Sequence, residues 1–237
     1  NITCRMFTES TEHLIWATKN GKGEKWTFNY EDTKNLIEDS INPLGKQTRN
    51  VWSIPLTPKS EKWAGAHPTQ KPEELLRRII LACTKEGDTV LDPFVGSGTT
   101  LVQALELGIN GVGYDISEFN IILCRAKTSI YDIKKARIEI LNILEKVESI
   151  EKKEVKQLSL WEKRKPYTSS SINQASTYLH QWFAPKALYE LISYRNLITE
   201  EYKYQDLLKV ILSRAARSAR LTTHYDLDFP KKPQNEP

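Results

Sequence analysis

The sequence predicts a doubly wound parallel α/β sheet, present in part, with a helical segment at its C-terminal end. An apolar run at 89–92, "TVLD", leads through a glycine loop into the helical pattern "TTLVQALELG". A second apolar run at 111–115, "GVGYD", leads into the helical pattern "SEFNIILCRAKT". Short apolar runs that alternate with helices are typical of parallel sheets, whose strands are buried on both faces.

Composition places the chain among soluble globular proteins. Of its 237 residues, 39% are hydrophobic and 27% are charged, which is ordinary for such proteins. No apolar run approaches the ~20 residues that a membrane span needs. The net charge of +4 permits a polyanionic partner without requiring one. Three scattered cysteines predict reduced thiols in a cytoplasmic protein, and neither a metal site nor a nucleophile.

The first 66 residues predict a hairpin followed by a loop-rich stretch. Strand-like patterns on either side of Asn20-Gly21 predict a β-hairpin within 1–30. Residues 31–66 are polar and contain three prolines, so we expect them to be irregular.

Helix signals then recur along the chain. Leucine and isoleucine recur at helical spacing after Pro72 and two glutamates, which suit a first turn. Gly108 is the predicted C-cap of the helix after the glycine loop, and Ser117 is the predicted N-cap of the next helix. Residues 134–160 predict a charged amphipathic helix. These signals divide the chain into a hairpin (1–30), a loop-rich segment (31–66), an α/β domain (67–150), a linker (151–175) and a basic helical segment (176–237).

The glycine loop "DPFVGSGTT" at 92–100 predicts a nucleotide-like ligand. Ligands of doubly wound sheets bind at the carboxyl ends of the strands, where this loop lies. A P-loop needs a lysine after its second glycine, and here threonine follows Gly98, which disfavours a nucleoside triphosphate. A dinucleotide loop has a third glycine that allows close helix–strand packing, and Leu101 holds that position, which weakens NAD or FAD.

An adenosyl ligand without phosphates fits the pattern better. Such a ligand needs glycines near its amino-acid part and an acidic side chain for the ribose hydroxyls. Gly96 and Gly98 satisfy the first requirement, and Asp115 at the end of the second strand satisfies the other. The pattern therefore indicates S-adenosylmethionine, with a glycine turn that binds nothing as the alternative.

Residues 67–117, from "HPTQKP" through the glycine loop to "GYDIS", resemble the cofactor-binding half of the DNA amino-methyltransferases. The resemblance implies a Rossmann-like methyltransferase sheet and an enzyme that transfers a methyl group from S-adenosylmethionine to N6 of adenine or N4 of cytosine. It also implies a bacterial restriction–modification enzyme or an orphan methylase, with duplex DNA as partner and a target base that is flipped out of the stack.

By position, the resemblance also implies a set of cofactor-binding residues. The "HPTQKP" motif would flank the methionine part of the cofactor, the glycine loop would form the first cofactor motif, and the acid after the second strand would bind the ribose. The residues are His67, Thr69, Gln70, Lys71, Asp92, Phe94, Gly96, Ser97, Gly98, Thr99 and Asp115.

The chain lacks the family's catalytic tetrapeptide, an Asp/Ser/Asn-Pro-Pro-aromatic motif that accepts hydrogen bonds from the target amino group. No Pro-Pro pair occurs in the sequence, so the catalytic residues stay unassigned. We therefore expect the chain to be a fragment. The tetrapeptide would lie upstream if the catalytic half comes first, or downstream if the cofactor motif comes first.

Two basic regions are candidates for DNA contact. In the order that places the catalytic half first, residues 31–66 occupy the target-recognition position and carry Arg49 and Lys59. Arg214, Arg217 and Arg220 recur every three residues along one side of a predicted helix, opposite an apolar face that includes Leu208 and Ala215. A solvated basic face is the alternative for this helix.

Two further functions stay open. The same cofactor half would serve an RNA methyltransferase, and the missing tetrapeptide is consistent with a non-catalytic subunit that binds cofactor and DNA. His224 beside Tyr225 is interpreted as structural, and Trp182 and Phe183 as core residues. No histidine or cysteine cluster has metal-ligand spacing, and the sequence does not predict an oligomeric state.

Overall fold

The computed structural model describes residues 11–19, 26–62, 70–159 and 177–222. Two strands, β1 (Thr89–Asp92) and β2 (Asn110–Gly113), lie within these ranges, together with a 3-10 turn at Lys59–Lys62. The helices are α1 (Tyr30–Leu36), α2 (Glu73–Cys83), α3 (Thr99–Glu106), α4 (Glu118–Thr128), α5 (Ile133–Ser159), α6 (Thr177–Trp182), α7 (Pro185–Leu197) and α8 (Gln205–Ser218).

The strands and the helix between them form a parallel β–α–β unit. β1 pairs with β2 in a register that runs from Thr89 opposite Asn110 to Asp92 opposite Gly113. α3 connects the two strands and packs on both of them. The predicted parallel α/β architecture is confirmed by this unit, and the predicted helical C-terminal segment is confirmed by α6 to α8.

The two faces of this sheet are covered differently. Gly111 and Gly113 of β2 face α3, where a Cβ at Gly111 would lie 2.9 Å from the Leu101 side chain. Leu91 and Val112 are register partners on the other face, and they are 60% and 41% exposed. The strands are therefore less buried than their apolar sequences predict. Leu101 packs closely on the sheet because Gly111 and Gly113 of β2, which face it, have no side chains.

The helix ends follow the predicted capping. Ser117 precedes α4, and its Oγ accepts a hydrogen bond from the Asn120 amide at 3.4 Å. After α3, Gly108 has a φ of +71°, and the Ile109 amide donates to the Ala104 carbonyl at 2.8 Å. This geometry is a Schellman motif, which satisfies carbonyls that the helix end would leave without a donor. Both predicted caps are confirmed.

The N-terminal segments differ from the loops and strands that the sequence predicts. The described residues 11–18 and 26–29 form no strand, and the predicted turn at Asn20-Gly21 lies outside the described residues. The rings of Trp16 and Phe28 nevertheless lie 5.5 Å apart. Within 31–66, a stretch predicted to be irregular, α1 forms with Glu31 and Asp32 in its first turn, where acids favour a helix.

The helical segment has its own apolar core. Ile143 of α5 and Leu208 of α8 are fully buried and pack with Tyr194 and Tyr202. α5 is one continuous helix through residue 150, the predicted end of the α/β domain, so its packing places it with the helical segment.

A second cluster in this segment contains Trp182 and Phe183, as the sequence predicted, packed with Leu188 and Tyr189.

α8 connects this segment to the α/β unit. Val210 of α8 packs against Leu123 and Ala126 of α4 in a third buried cluster. The predicted apolar face of α8 is correct at Leu208, which is buried, and wrong at Ala215, which is exposed. Because Val210 packs on α4 while Leu208 packs on α5, α8 is buried on two sides.

Ile143→Val tests the core of the helical segment. Removing one methyl group from this fully buried side chain is expected to lower the free energy of unfolding by about 0.5–1.5 kcal/mol. The burial of that methyl group is lost, and a small cavity is left in its place. Urea denaturation measures the change. Ile138→Val on the same helix is the matched control, since Ile138 is 64% exposed and its change should stay below about 0.5 kcal/mol. Equal effects at both positions would contradict the packing.

Among the described residues, none of the helices combines the length and the hydropathy that crossing a membrane requires.

Candidate functional site

The glycine loop lies where β1 and β2 end. The Val95 amide donates to the Tyr114 carbonyl at 2.9 Å, so the loop returns across the end of β2. The Gly98 amide then donates to the Val95 carbonyl at 2.8 Å and closes a tight turn. Gly96 and Gly98 have φ values of +50° and +81°, a region that side chains with a Cβ rarely adopt. Both glycines are therefore required by the backbone of this loop.

Asp115 holds the loop against the end of β2. Its Oδ2 accepts a hydrogen bond from the Gly96 amide at 2.9 Å and another from Asn120 Nδ2 at 3.0 Å. Its Oδ1 accepts from the Ser117 amide at 2.8 Å. The predicted ribose acid and the predicted loop are therefore in direct contact, and the half-buried carboxylate places negative charge beside the loop backbone.

Asp92 organises the other side of the loop. Its Oδ1 accepts from the Phe94 amide at 3.0 Å, and its Oδ2 accepts from Thr100 Oγ1 at 2.6 Å. The Phe94 ring is 88% exposed, whereas Ser97 and Thr99 are buried. The loop thus presents an aromatic ring outward while its hydroxyl side chains turn toward the protein.

Two residues of α4 support the loop from behind, and no sequence pattern assigned either of them to the site. Lys127 Nζ donates to the Ser97 carbonyl at 2.7 Å, and Cys124 Sγ lies 3.5 Å from the Gly96 carbonyl. A Cβ built on Gly98 would lie only 2.8 Å from Cys124 Sγ and 3.3 Å from its Cα. The loop is therefore packed against α4 without space for a side chain at Gly98.

Burial shifts the pKa values of both Cys124 and Lys127. Burial raises the pKa of the Cys124 thiol, an effect that nearby Lys127 opposes and Asp115 and Asp92 reinforce, so the thiol stays neutral. Burial lowers the pKa of Lys127, and the neighbouring Glu73 opposes that shift.

A cavity of about 380 Å³ lies beside the loop, between α2, α3 and α4. Burial raises the pKa of Glu73 in this cavity, and the negative charges of Glu61 and Glu106 raise it further. Of the described residues that line the cavity, Thr99 alone belongs to the predicted cofactor set. The lining residues are Ser60, Glu61, Glu73, Thr99, Val102, Glu106 and Lys127.

The "HPTQKP" motif is described in part. His67 and Thr69 lie outside the described residues. Gln70 Nε2 donates to the Glu61 carbonyl at 2.9 Å, and Lys71 Nζ forms an ion pair with Glu12 at 2.7 Å. These two predicted cofactor residues therefore hold the chain just before α2, and their assignment to the cofactor stays a prediction.

A buried polar network anchors residues 37–53 on α2, and no sequence pattern indicated it. Arg78 is 1% exposed, and its guanidinium binds Asp39 Oδ2 at 2.5 Å and Glu74 Oε1 at 2.7 Å. Asn42 is also 1% exposed; its Nδ2 donates to Asp39 and to the Val51 carbonyl at 3.0 Å. The network fixes the base of the segment that carries Arg49.

Asp39 should make stability depend on acid pH. Its burial alone would raise its pKa, but hydrogen bonds from Arg78, from the Ile41 and Asn42 amides and from the Asn42 side chain outweigh burial and hold the pKa well below its ordinary range. A lowered folded-state pKa contributes stability that is complete above the unfolded-state pKa of about 3.9 and is lost as the pH falls through the folded-state value.

Urea unfolding of the wild type is therefore expected to show a falling free energy of unfolding below about pH 4. Asp39→Asn should lose about 3–5 kcal/mol at pH 7, because it removes one partner of a buried ion pair, and show a weaker acid dependence. Asp88→Asn is the control, because Asp88 is exposed. An Asp39→Asn profile parallel to that of the wild type would exclude Asp39 as the origin.

The predicted DNA-contact residues of the loop-rich segment lie on the surface. Arg49 and Lys59 are both exposed. The Arg49 amide donates to Asn42 Oδ1 at 2.6 Å, and its carbonyl accepts from Trp52 Nε1 at 2.8 Å. The backbone of Arg49 is therefore held by the buried network while its side chain faces solvent.

The three arginines of the C-terminal segment do not share one helix face. Arg214 is exposed on α8, but α8 ends at Ser218, so Arg220 lies beyond it. Arg220 instead forms an isolated antiparallel bridge with Phe183, and its Nε donates to the Arg217 carbonyl at 3.3 Å. The prediction of an arginine row along one helix is wrong at Arg220, because the chain leaves the helix to cover α6.

His224 lies outside the described residues. Among the side chains that the structure describes, no group of histidine, cysteine or carboxylate residues could hold a metal ion.

Comparison with known proteins assigns a family. A family model described as DNA methylase matches residues 1–124 of the 237. Type II methyltransferase M2.DpnII of Streptococcus pneumoniae is 52% identical over 127 residues, which cover 54% of this chain and 45% of the relative. M2.LlaDCHI of Lactococcus lactis subsp. cremoris is 56% identical over 115 residues, covering 48% of this chain and 40% of the relative. The chain spans less than half the length of these curated relatives.

One solved structure is similar to part of the chain. The crystal structure of the M1.HpyAVI–SAM complex is 29% identical over 46% of this chain and 47% of that chain, with a TM-score of 0.32.

Proposed function

Because the chain belongs to the DNA methylase family, we propose that it forms the S-adenosylmethionine-binding half of a DNA amino-methyltransferase of the restriction–modification type. The observation that supports this most directly is the loop itself. It lies at the carboxyl ends of two parallel strands, contains two glycines with positive φ, and is held by the carboxylate of Asp115. This is the place and the construction of a cofactor site in a doubly wound sheet.

The residues present fit S-adenosylmethionine better than a phosphate-containing nucleotide. A carboxylate at this position accepts hydrogen bonds from the hydroxyls of a ribose, and the loop has no lysine after Gly98 to hold the phosphates of a nucleoside triphosphate. Gly98 has no room for a Cβ, so the loop backbone packs directly against Cys124 of α4. In this proposal Asp115 binds the ribose, the exposed Phe94 ring flanks the adenosyl group, and Gln70 and Lys71 hold the methionine side. When bound, the cofactor supplies a methyl group on a sulfonium.

The proposed reaction transfers that methyl group to N6 of adenine or N4 of cytosine in a base flipped out of duplex DNA. Such a reaction needs an acceptor for the protons of the amino group, and the sequence contains no Pro-Pro tetrapeptide to supply one. We therefore propose that the acceptor belongs to polypeptide beyond these 237 residues, which agrees with the partial coverage of the relatives.

The missing tetrapeptide also favours a second candidate function, a non-catalytic subunit that binds cofactor and DNA. Calorimetry with S-adenosylmethionine, with ATP and NAD as controls, tests the shared part of both candidates. We expect binding of S-adenosylmethionine alone. No binding, or stronger binding of ATP, would contradict both.

Methyl transfer separates the two candidates. The chain and the product of the extended gene are each incubated with duplex DNA, single-stranded DNA and RNA, in the presence of radiolabelled cofactor. We expect transfer to DNA by the extended product only, and nucleoside analysis then distinguishes adenine from cytosine. An extended product that binds DNA without transfer would favour the subunit, and transfer to RNA alone would favour an RNA methyltransferase.

A further inference from the structure

Residues 43–51 form an exposed loop that apolar burial does not hold in place. Leu44 and Val51 are 52% and 57% exposed, and the nearest buried apolar side chain before the loop is Ile37, which is 1% exposed. The basic side chains of Lys46 and Arg49 are exposed on this loop. A loop of this composition has no hydrophobic reason to adopt one conformation.

Hydrogen bonds nevertheless hold the loop at Gly45, Thr48, Arg49 and Val51. The Gly45 amide donates to the Lys34 carbonyl at 2.8 Å, and Thr48 Oγ1 donates to the Thr33 carbonyl at 2.8 Å. Asn42 joins the two ends of the loop, because its Oδ1 accepts from the Arg49 amide and its Nδ2 donates to the Val51 carbonyl. Asn42 in turn is held by both carboxylate oxygens of Asp39.

Removing one partner of the Asp39–Arg78 pair at the base of this loop is costly, but the pair as a whole need not stabilise the fold. A buried ion pair is often no more stabilising than well-packed apolar side chains of similar size, since both charges lose their hydration. The ion pair has a defined geometry, because a planar guanidinium and a carboxylate bind each other in one orientation. Arg78 also donates to the Glu38 carbonyl at 3.2 Å. The pair therefore fixes where Glu38 and Asp39, which precede the loop, lie against α2.

We propose that Asp39, Arg78 and Asn42 are positioning residues, which hold residues 43–51 in the conformation that presents Lys46 and Arg49 to the phosphate backbone of DNA. This inference rests on the proposed function. A loop ordered before binding loses less conformational entropy when it contacts DNA, so the network increases affinity without touching the DNA. Phosphate contacts also fix the orientation of a protein on the duplex.

The test compares three variants of the whole chain. Arg78→Met with Asp39→Leu replaces the ion pair by apolar groups of similar size. Lys46→Ala with Arg49→Ala removes the surface charges and leaves the network. Arg77→Met is the matched control, since Arg77 is the half-exposed neighbour of Arg78 on α2. Binding of a fluorescent DNA duplex is measured over a range of salt concentrations, binding of S-adenosylmethionine by calorimetry, and protection of the Gly45 and Arg49 amides by hydrogen exchange.

We expect both double variants to lose DNA affinity by about tenfold or more, and the slope of log affinity against log salt to fall by about 2, since each phosphate contact contributes about 0.9. Only the network variant should lose amide protection. S-adenosylmethionine affinity should stay unchanged in both, and Arg77→Met should resemble the wild type.

Other results overturn the inference. A network variant that loses amide protection but keeps wild-type DNA affinity and salt slope would show that loop order is irrelevant to DNA. A wild type that binds S-adenosylmethionine but no DNA would refute the loop as a DNA surface and leave the cofactor assignment standing, whereas binding of neither would refute the proposed function itself. If the network variant does not fold, the amide chemical shifts of the wild type are measured by NMR before and after DNA is added. DNA should change the shifts of the Lys46 and Arg49 amides. Changes confined to other residues would contradict the inference.

Discussion

Replacing Gly98 with alanine is expected to destabilise the protein by about 2–5 kcal/mol and to abolish cofactor binding. Two penalties combine at this position. A φ of +81° costs a residue with a Cβ about 1–2 kcal/mol. The new Cβ would also lie 2.8 Å from Cys124 Sγ and 3.3 Å from the Cα of the same residue, and overpacking of this kind typically costs about 1–3 kcal/mol. Since that Cα belongs to the backbone of α4, the loop itself must move.

Gly87→Ala is the matched control for this substitution. Gly87 has nearly the same φ, +88°, but nothing lies within 4 Å of the position of its Cβ. It should therefore cost only the backbone penalty, about 1–2 kcal/mol, and leave cofactor affinity unchanged. Urea denaturation and calorimetry with S-adenosylmethionine measure the two effects.

Cys124→Ala in the Gly98→Ala background should recover part of the stability. It removes the sulfur atom that the new Cβ would overlap, whereas the backbone of α4 at the same position stays in place. Equal losses at Gly98 and Gly87, with unchanged cofactor binding in both variants, would show that the packing of the loop on α4 is unimportant.

The part of the fold that the sequence predicted well is the part that local patterns encode. The order from β1 through the glycine loop and α3 to β2 follows from apolar runs, turn residues and caps that are close in sequence. Ser117 and Gly108 act as predicted because a cap satisfies backbone groups only three or four residues away.

The features that the sequence did not predict depend on distant partners. Arg78 lies in an amphipathic helix pattern, and its buried guanidinium pairs with Glu74 on the same helix and with Asp39, 39 positions earlier in the chain. Lys127 likewise supports the loop from α4, through a carbonyl 30 positions away. Helical periodicity carries no information on such pairs, so the contacts of Arg78 and Lys127 could not be predicted from the sequence.

The exposure of one face of the sheet was also not predicted from the sequence, for a physical reason. Leu91 and Val112 are apolar and lie in strands, so their sequence predicts burial on both faces. An apolar side chain favours burial, but the sequence does not say which element of the fold packs over it. In the described residues, α3 covers the face of Gly111 and Gly113, and the opposite face stays open to solvent.

Among substitutions outside the glycine loop, Asp115→Ala is expected to cause the largest loss of cofactor affinity. The substitution removes the proposed acceptor for the ribose hydroxyls, and it also deprives the Gly96 and Ser117 amides of their acceptor. A hydrogen bond to a charged group contributes about 1.5–3 kcal/mol, and about 1.4 kcal/mol changes an equilibrium constant tenfold. We therefore expect the dissociation constant for S-adenosylmethionine to rise by about 100-fold.

Asp115→Asn separates the two roles of this carboxylate. The amide keeps one oxygen for a backbone donor but loses the charge, so affinity should fall by about tenfold while the free energy of unfolding changes by less than in Asp115→Ala. Asp88→Ala is the control, because the Asp88 carboxylate accepts the Lys85 amide in an exposed turn at the opposite end of β1. Cofactor affinity that is unchanged in Asp115→Ala would refute the ribose assignment. A loss of stability without a loss of affinity would limit Asp115 to holding the loop.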